Sequence, residues 1–436
     1  MKSIAQIAAQ LQGYDPQALS ADDVNAFLSQ LVEPVRETEQ VGLFDALGRV
    51  LAHDLISPVS VPPHDNSAMD GYAFDSSALR PDLPLALQVA GTALAGKAWQ
   101  GSVAAGQCIK IMTGAIMPAG LDTVVPQEFV SVRAVPDQAA GGAATNPART
   151  VVVIPPNLLQ PGDNRRLKGE DLHAGQAALR GGERLLPAAL GLVASIGIEA
   201  VTVRRKLRVA YFSTGDEILS LGDAPREGAV YDSNRYTVFG LLARLGCEVI
   251  DMGVVRDVPA LLEAAFAKAA EGADAIITSG GVSVGEADYT RAMMNKLGDV
   301  AFWRIAMRPG RPMAAGRIGN AVLFGLPGNP VAVMVTFLAF VRPALLRMMG
   351  AHAAPLPLLK ARSEEAVRKK PGRTEYQRGI VSRSPDGNLS VRITGNQGSG
   401  VLRSMVQANG LIVLHHAQSS VAAGDEVDVL MFEGTV

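Results

Sequence analysis

The chain has 436 residues, and 40 Lys and Arg against 42 Asp and Glu give it a formal net charge of −2. Hydrophobic residues make up 48% and charged residues 19%, a composition that suits several folded domains with sizeable cores. Without a basic excess, neither nucleic acid nor an anionic membrane surface is expected as a partner.

The two cysteines, Cys108 and Cys247, lie in no Cys/His cluster, so a structural zinc site is not expected. Residues 1–20 lack the continuous apolar run of a signal peptide. We therefore predict a soluble protein in a reducing compartment, the cytoplasm.

Residues 322–341 contain no charge and resemble a membrane span in composition. Pro327-Gly328-Asn329-Pro330 interrupts this window after its fifth residue, and the remainder is too short to cross about 30 Å as a helix. A buried strand, a tight turn and a buried helix are predicted instead.

In chain order, residues 19–55 show helical patterns, with a serine N-cap at Ser20 and a second apolar pattern over 43–55. Residues 84–155 contain short β-like segments separated by glycines, and a helical pattern returns at 186–197. This texture predicts a helical N-terminal domain with an inserted β domain.

Residues 207–349 alternate buried strands with helices, which predicts βαβ units and a mostly parallel sheet in a central α/β domain. From residue 356 onward, short strands joined by Gly and Asn/Asp turns predict a small barrel or sandwich. We predict four domains, with bounds of 1–58 plus 156–206, 59–155, 207–350 and 351–436.

Glycines and charged residues cluster after the predicted strand ends of the α/β domain, where ligands of such sheets bind. The five loops comprise residues 213–217, 256–257, 279–288, 308–312 and 326–330. We expect them to converge on one crevice.

Ser279, Gly280 and Gly281 suit a phosphate, because glycines let backbone N–H groups approach an anion at a helix start. Arg304, Arg308 and Arg311 would add charge-assisted contacts to phosphate or another oxyanion. The acids of the same loops would repel such a ligand unless a divalent cation such as Mg²⁺ joined them. These acids are Glu217, Asp257 and Asp288.

Each feature also has a simpler interpretation. Glu286 and Asp288 stand where a helix favours acids in its first turn, and Pro-Gly-Asn-Pro is a good turn in any protein. Arg304 lies at a position compatible with plain solvent exposure. The coincidence across five loops is what favours a binding site.

Gly281-x-Ser283-x-Gly285 has the spacing of a hydrolase nucleophile elbow. Ser283, however, lies four residues beyond the predicted strand end. The histidines after it are His352, His415 and His416, which follow a helix or lie in another domain. A serine hydrolase is therefore the weaker hypothesis.

Seven motifs resemble the MoeA family of molybdopterin molybdenumtransferases, which is related to the gephyrin E domain. They occur in order along nearly the whole chain, which makes the resemblance specific. They are "NSAMDGYAF" (66–74), "IKIMTGAIMP" (109–118), "GEDLHAG" (169–175), "FSTGDEI" (212–218), "YDSNRY" (231–236), "SGGVSVGEADY" (279–289) and "GLPGNPV" (325–331).

The resemblance implies a late step of molybdenum cofactor synthesis, in which adenylylated molybdopterin and molybdate give the cofactor and AMP with help from Mg²⁺. It implies an elongated homodimer of four domains, including an adenylyltransferase-like α/β domain and a C-terminal β barrel. Contacts with the molybdopterin adenylyltransferase and with molybdoenzyme chaperones would follow from that role.

The functional positions that the resemblance implies extend beyond the α/β loops. Asp70, Asp171 and Thr113 match family acids and a Met-Thr-Gly loop, and would act with Glu217, Asp257 and Asp288. Further ligand-binding positions are Ser283, Pro327, Pro330, Arg373, Arg378 and Ser399.

Where some relatives carry lysines, this chain has Arg304, Arg308 and Arg311, which bind oxyanions but do not release a proton near neutral pH. Two alternatives stay open: adenylylation of molybdopterin by ATP, since the α/β domain is shared, and a non-enzymatic scaffold.

Overall fold

The computed structural model describes residues 2–135, 149–282, 289–352 and 355–432. Their contacts divide the chain into two compact units. Unit 1 comprises Met1–His53, Gly181–Leu186 and Ala200–Val436, and unit 2 comprises Asp54–Arg180 and Pro187–Glu199. Our four-domain division is finer than this and stays a prediction.

Unit 1 begins with helices α1 (Ile4–Ala8) and α2 (Ala21–Leu31), followed by strand β1 (Thr38–Gly42). Ser20 caps α2 as predicted, since its hydroxyl accepts the Asp23 N–H at 3.1 Å. Helix α2 buries Val24, Phe27 and Leu28 in the core that also contains the α/β sheet.

Unit 2 is mainly β. Its elements are β2 (Leu55–Ile56), β3 (Asn66–Ser67), β4 (Gly71–Phe74), β5 (Leu85–Ala93), β6 (Gln107–Ile111), β7 (Thr123–Pro126), β8 (Ser131–Val135), β9 (Arg149–Ile154), β10 (Arg165–Arg166), β11 (Ala177–Leu179) and α3 (Pro187–Ser195). Strands β4 to β9 form one six-stranded sheet in the order β7-β4-β6-β5-β9-β8. The β segments between 84 and 155 and the helix near 186–197 are thus confirmed.

Unit 1 resumes with β12 (Ala200–Arg204), which pairs with β1 in a separate two-stranded sheet. The α/β domain follows, and its elements are β13 (Arg208–Thr214), β14 (Ile218–Leu219), β15 (Val230–Tyr231), α4 (Ser233–Leu245), β16 (Glu248–Val255), α5 (Pro259–Gly272), β17 (Ala275–Ser279), α6 (Tyr289–Leu297), β18 (Gly298–Arg304), β19 (Met307–Arg308), β20 (Pro312–Ile318), β21 (Ala321–Leu326), α7 (Pro330–Thr336), a π-helical turn (Phe337–Val341) and α8 (Arg342–Met348). The sheet order is β16-β13-β17-β21-β20-β18.

Strands β16, β13, β17 and β21 of this sheet are parallel, as predicted. Strand β20 was not predicted, and it pairs antiparallel with β18 and β21. Because β20 reverses direction between them, β18 runs the same way as β21. The carboxyl ends of β13, β17, β21 and β18 therefore face the same edge.

The C-terminal part of unit 1 contains β22 (Leu359–Ser363), β23 (Thr374–Arg383), β24 (Leu389–Ile393), α9 (Leu402–Gln407), β25 (Gly410–Leu414) and β26 (Glu426–Met431). The five strands close on themselves, because β23 pairs with both β24 and β25 while β22 and β26 complete the ring. The predicted barrel is confirmed. Strand β22 and helix α9 were not predicted.

The helix expected over residues 43–55 is wrong. Leu43–Asp45 forms one 3-10 turn, Phe44 is fully exposed, and Gly48 has a φ of 75°. Farther along, Val50 and Leu51 make isolated β-bridges to Arg184 and Val203. Pairing with distant segments therefore overrides the local apolar pattern.

Within the described residues, one helical run, Pro330–Met348, has the length and apolar composition of a membrane span. Most of it (78%) is buried inside the protein, as in the core helix of a globular domain. This agrees with the predicted buried helix after the Pro-Gly-Asn-Pro turn.

Candidate active site

A cavity of about 1140 Å³ lies at the carboxyl edge of the α/β sheet. Four of the five predicted loops line it, and the loop of Arg256 and Asp257 does not. Its lining residues are Ser213, Thr214, Glu217, Ile218, Val230–Asn234, Ser279–Val282, Met307–Pro312, Pro327–Pro330, Ala332, Arg373, Gln397–Gly400 and Leu402.

The register of the parallel strands brings the first loops to one level. Ser213 pairs with Ser279, and Ser279 pairs with Leu326, so the three strands end side by side. The buried Tyr211 hydroxyl bonds to the Ser213 hydroxyl at 2.8 Å and to the Ser279 hydroxyl at 2.7 Å. Burial raises the pKa of Tyr211, so this hydroxyl network is neutral near pH 7.

Gly280 and Gly281 turn sharply after β17, with φ values of 94° and 65°. A Cβ on Gly280 would lie 2.4 Å from the Thr214 carbonyl oxygen, and a Cβ on Gly281 would lie 2.4 Å from the Thr290 Cβ. The Gly280 N–H donates to the Leu326 carbonyl at 3.1 Å. Gly280 therefore serves close packing, since its amide is already engaged and does not face an anion.

The predicted arginines separate in space. Arg308 and Arg311 line the cavity together with Arg373, whose Nε donates to Glu375 at 2.7 Å. Arg304 is exposed, lies outside the lining, and its backbone N–H donates to Pro16 at 2.8 Å. Its expected part in oxyanion binding at this cavity is therefore not supported.

Arg378 is buried behind the cavity wall. Its guanidinium donates to the Ser404 hydroxyl at 3.0 Å and to the Gly398 carbonyl at 2.9 Å. Burial, and then the charge of Arg308, lowers the pKa of Arg378 to about 10. Both arginines also border a smaller cavity of about 290 Å³. Arg378 thus holds the loop that carries Ser399, a lining residue.

Of the three predicted metal-binding acids, Glu217 lines the cavity. The Asp257 carboxylate accepts a hydrogen bond from the Thr290 hydroxyl at 3.3 Å. The backbone N–H of Asp257 donates to the Asp216 carboxylate, also at 3.3 Å. Asp288 lies outside the described residues. Within the described ranges, no three His, Cys, Asp or Glu side chains gather as a metal site. The described acids alone therefore do not make a complete Mg²⁺ site.

Ser283 also lies outside the described residues, as does Glu286. No histidine is among the described residues that line the cavity. His415 instead contacts Asp428 at 2.6 Å in the barrel. The serine hydrolase hypothesis therefore gains no support from the described site.

In unit 2, Asp70 and Thr113, two of the positions that the family resemblance implies, contact each other. The Asp70 Oδ1 accepts the Thr113 N–H at 2.6 Å and its hydroxyl at 2.7 Å. These two bonds, the backbone one first, lower the pKa of Asp70. Asp171 is exposed, and its N–H donates to the Val61 carbonyl at 3.1 Å.

Sequence reasoning missed part of the wall. Asp232 and Asn234 at the start of α4, and Gln397 near the predicted Ser399, line the same cavity. The "DSN" signal was present, because Asp before an apolar helical pattern is a typical N-cap. Its position beside the cavity was not readable from the spacing.

Residues 19–197 match the MoeA N-terminal region (domain I and II), residues 210–347 match a probable molybdopterin binding domain, and residues 360–432 match the MoeA C-terminal region (domain IV). A Haemophilus influenzae molybdopterin molybdenumtransferase is 41% identical, over 93% of this chain and 96% of that protein. A Nostoc molybdopterin molybdenumtransferase is 34% identical, over 96% and 95%.

A crystal structure of a molybdopterin biosynthesis moeA protein from Pyrococcus horikoshii is 26% identical, with a TM-score of 0.78, over 95% of this chain and 100% of that chain. The inserted β sheet, the α/β domain with its edge cavity, and the closed barrel thus define a protein of molybdenum cofactor biosynthesis. The chain belongs to the MoeA family of molybdopterin molybdenumtransferases, as the motifs indicated.

Proposed function

We propose that the chain inserts molybdenum from molybdate into adenylylated molybdopterin, with release of AMP. The observation that carries the proposal is the cavity at the strand edge, which Arg308, Arg311 and Arg373 line together with Ser279 and Gly281. A cavity of this size accommodates an elongated ligand that has a heterocycle and an anionic link.

The arginines suit the anionic part of such a ligand. Guanidinium groups bind phosphate oxygens and other oxyanions through paired N–H donors. Arg308 and Arg311 flank Pro309 and Gly310, so both cations come from one short loop. They would hold the pyrophosphate link and molybdate and stabilise the negative charge that develops as the link breaks.

The bond that breaks joins an oxygen to the AMP phosphorus. A water oxygen bonds to that phosphorus and gives up a proton, the bridging oxygen departs with the molybdopterin phosphate, and AMP is released with the water oxygen. Glu217 and Asp232 both line the cavity, and Glu217 is the exposed one of these two carboxylates. Glu217 would therefore orient the water or accept its proton. Arginine would serve as a fixed positive charge throughout, because it keeps its proton near neutral pH.

Mg²⁺, when bound, would neutralise phosphate charge and polarise the link. Glu217, Asp257 and Asp288 are the acids that would hold it by the family resemblance. Asp70, Asp171 and Thr113 are proposed to position the pterin or a water, from the same chain or from the partner of a homodimer. A cytoplasmic location, and contacts with an adenylyltransferase and molybdoenzyme chaperones, belong to the same proposal.

The test incubates purified protein with adenylylated molybdopterin, molybdate and Mg²⁺. AMP is measured by chromatography, and cofactor by reactivation of an apo-molybdoenzyme. We expect Glu217→Gln to lower AMP release by roughly a hundredfold or more, as loss of a general base does. The matched control is Glu227→Gln, at an exposed position outside the cavity lining.

Asp288→Ala is the second variant, and fully retained activity there would remove the role assigned to that acid. A wild-type protein that releases no AMP but consumes ATP and molybdopterin would instead be an adenylyltransferase. A wild type that neither releases AMP nor consumes ATP, with partner binding intact in the acid variants, would favour a scaffold.

A further inference from the structure

Asp232 and Asn234 open helix α4 at the wall of the cavity and are buried, with 4% and 7% of their surface exposed. The Asp232 Oδ1 accepts the Arg235 N–H at 3.0 Å and caps the helix. The Asn234 Nδ2 donates to the Gly328 carbonyl at 2.7 Å. This bond fixes the amide orientation and leaves the Oδ1 as its remaining polar atom.

The second oxygen of each side chain lacks a partner. Asp232 Oδ2 and Asn234 Oδ1 are buried and have no hydrogen bond in the described part of the chain. The Asn234 Oδ1 is an acceptor and cannot donate, and the same holds for the Asp232 Oδ2 when the carboxyl is ionised. The neighbouring cation Arg235 is engaged, since it donates to Asp251 at 2.8 and 2.6 Å. Buried acceptors are rarely left alone, so these two indicate a missing donor.

The missing donor is not an anion, because a carboxylate repels phosphate and molybdate. A third unpaired polar atom, the Thr214 hydroxyl, belongs to the same lining. The anionic part of a ligand is drawn to Arg308, Arg311 and Arg373, which line the cavity from other loops. The wall at Asp232 is therefore suited to an uncharged part that carries N–H groups.

We propose that Asp232 and Asn234 bind the N–H edge of the ligand's pterin, namely its 2-amino group and N3–H. This inference rests on the proposed function and deepens it. The 2-amino and N3–H donors lie side by side, and the two unpaired oxygens, Asp232 Oδ2 and Asn234 Oδ1, can accept one hydrogen bond each. Adenine, the other heterocycle of the ligand, carries a single amino donor beside ring acceptors and matches a carboxylate less well.

The Asp232 Oδ1 keeps its capping bond to the Arg235 N–H, so the unpaired Oδ2 is the oxygen left for the ligand. The bond of Asn234 to Gly328 links this wall to the Pro-Gly-Asn-Pro turn. The geometry thus couples recognition of the heterocycle to a second loop of the cavity.

The test compares Asp232→Asn with the wild type. Asparagine retains an N-cap acceptor but replaces the second oxygen with an NH₂ donor. The matched control is Asp75→Asn, since Asp75 also caps a short helical turn, through the Ser77 N–H at 2.9 Å, and is absent from the cavity lining. Asp232→Ser, which caps without a second oxygen, is the further variant if the first fails to fold.

Binding of three probes is measured by fluorescence or calorimetry: pterin, lumazine, which carries an oxo group in place of the 2-amino group, and AMP. The wild type and Asp75→Asn should bind pterin roughly tenfold or more tightly than lumazine, the range of one hydrogen bond to a charged group. Asp232→Asn should lose this preference and keep its affinity for AMP.

An unchanged preference for pterin in a folded Asp232→Asn protein would overturn the subsite alone, with the proposed function intact. Loss of AMP affinity with pterin affinity intact would assign the wall to adenine and also overturn it. A wild type that binds no pterin and releases no AMP from adenylylated molybdopterin would overturn the proposed function and this subsite together.

Discussion

Asp70 accepts two hydrogen bonds from Thr113 through one oxygen, from the backbone N–H at 2.6 Å and from the hydroxyl at 2.7 Å. Forty-three positions separate the two residues in the chain, and adjacent strands β4 and β6 bring them together. The carboxylate is fully exposed, so its lowered pKa comes from these bonds. An ionised and oriented acid at the surface of unit 2 is the result.

Thr113→Val should raise the pKa of Asp70 part of the way to its ordinary value. The variant loses the hydroxyl donor, but the backbone N–H, the larger cause of the shift, remains. Because the folded pKa lies below the unfolded one, the associated stabilisation exists above the unfolded pKa and is lost as pH falls through the folded value. Carboxyl ¹³C shifts followed against pH measure this, with Thr113→Ser as the control. An unchanged Asp70 titration in the valine variant would contradict the assignment.

Gly281→Ala and Gly280→Ala should each destabilise unit 1 by about 2 kcal/mol or more. A left-handed backbone costs a non-glycine residue about 1–2 kcal/mol, and the new methyl group would also clash with Thr290 or Thr214. Gly328→Ala is the matched control, because it lines the same cavity and its Cβ would meet nothing within 4 Å. The free energy of unfolding of Gly328→Ala should differ from that of the wild type by no more than about 0.5 kcal/mol. Thermal unfolding measures all three, and equal midpoints would refute the steric argument.

Asp274→Asn should lower the free energy of unfolding by about 2 kcal/mol at pH 7, which is in the range of hydrogen bonds to charged groups. Arg205 donates to both Asp274 oxygens, at 2.7 and 2.8 Å, and the Arg208 N–H adds a third bond at 2.8 Å. Burial alone would raise the pKa of Asp274, but these bonds outweigh it and the pKa is lowered.

The wild-type advantage over Asp274→Asn should therefore persist from pH 7 to the unfolded pKa, about 3.9, and shrink as pH falls further. Urea unfolding at several pH values measures it. Glu248→Gln is the control, since Glu248 pairs with Arg208 at 3.5 Å and both side chains are about half exposed. Such a pair contributes about 0–1 kcal/mol. If the stability difference between the wild type and Asp274→Asn grew as the pH fell, the predicted direction of the pH dependence would be wrong.

Arg378→Lys should lower stability by about 2 kcal/mol and loosen the loop of Ser399. Lysine cannot reproduce the separate bonds to Ser404 and Gly398, and it leaves buried acceptors without donors. Arg383→Lys is the control, because Arg383 is exposed and makes one bond to the Gly387 carbonyl at 3.1 Å. Thermal unfolding should separate the two, and a wild-type midpoint for Arg378→Lys would count against the structural role.

Much of the α/β domain could be predicted because its strands are continuous apolar runs. Residues Ala275–Ser279 and Ala321–Leu326 are fully buried, as such runs require in a sheet covered on both faces. Strand β20 could not be read the same way. It begins at Pro312 and contains small residues and Gly316, so its strand state comes from the two antiparallel neighbours that flank it.

Part of the candidate site could likewise be predicted from the sequence, and part could not. Glycines and arginines at strand ends predicted four walls of the cavity, because parallel strands end together. Arg304, the last residue of β18, is exposed and lies outside the cavity lining, which is the simpler of the two interpretations that the sequence allowed. The unpaired oxygens of Asp232 and Asn234 became visible only from three-dimensional partners, because one-letter patterns do not record which acceptors lack donors.

The pairing of β1 with β12 has a consequence for how the chain folds. Gly42 pairs with Ala200, and Gly181 lies against the backbone of His53, so the polypeptide leaves and re-enters unit 1 at neighbouring points. Closing such a long loop as an unfolded chain carries an entropy cost that grows with its length. Earlier folding of the intervening segment would shorten the effective loop. We therefore expect pulse-labelling hydrogen exchange to protect β4 to β7 before β1 and β12.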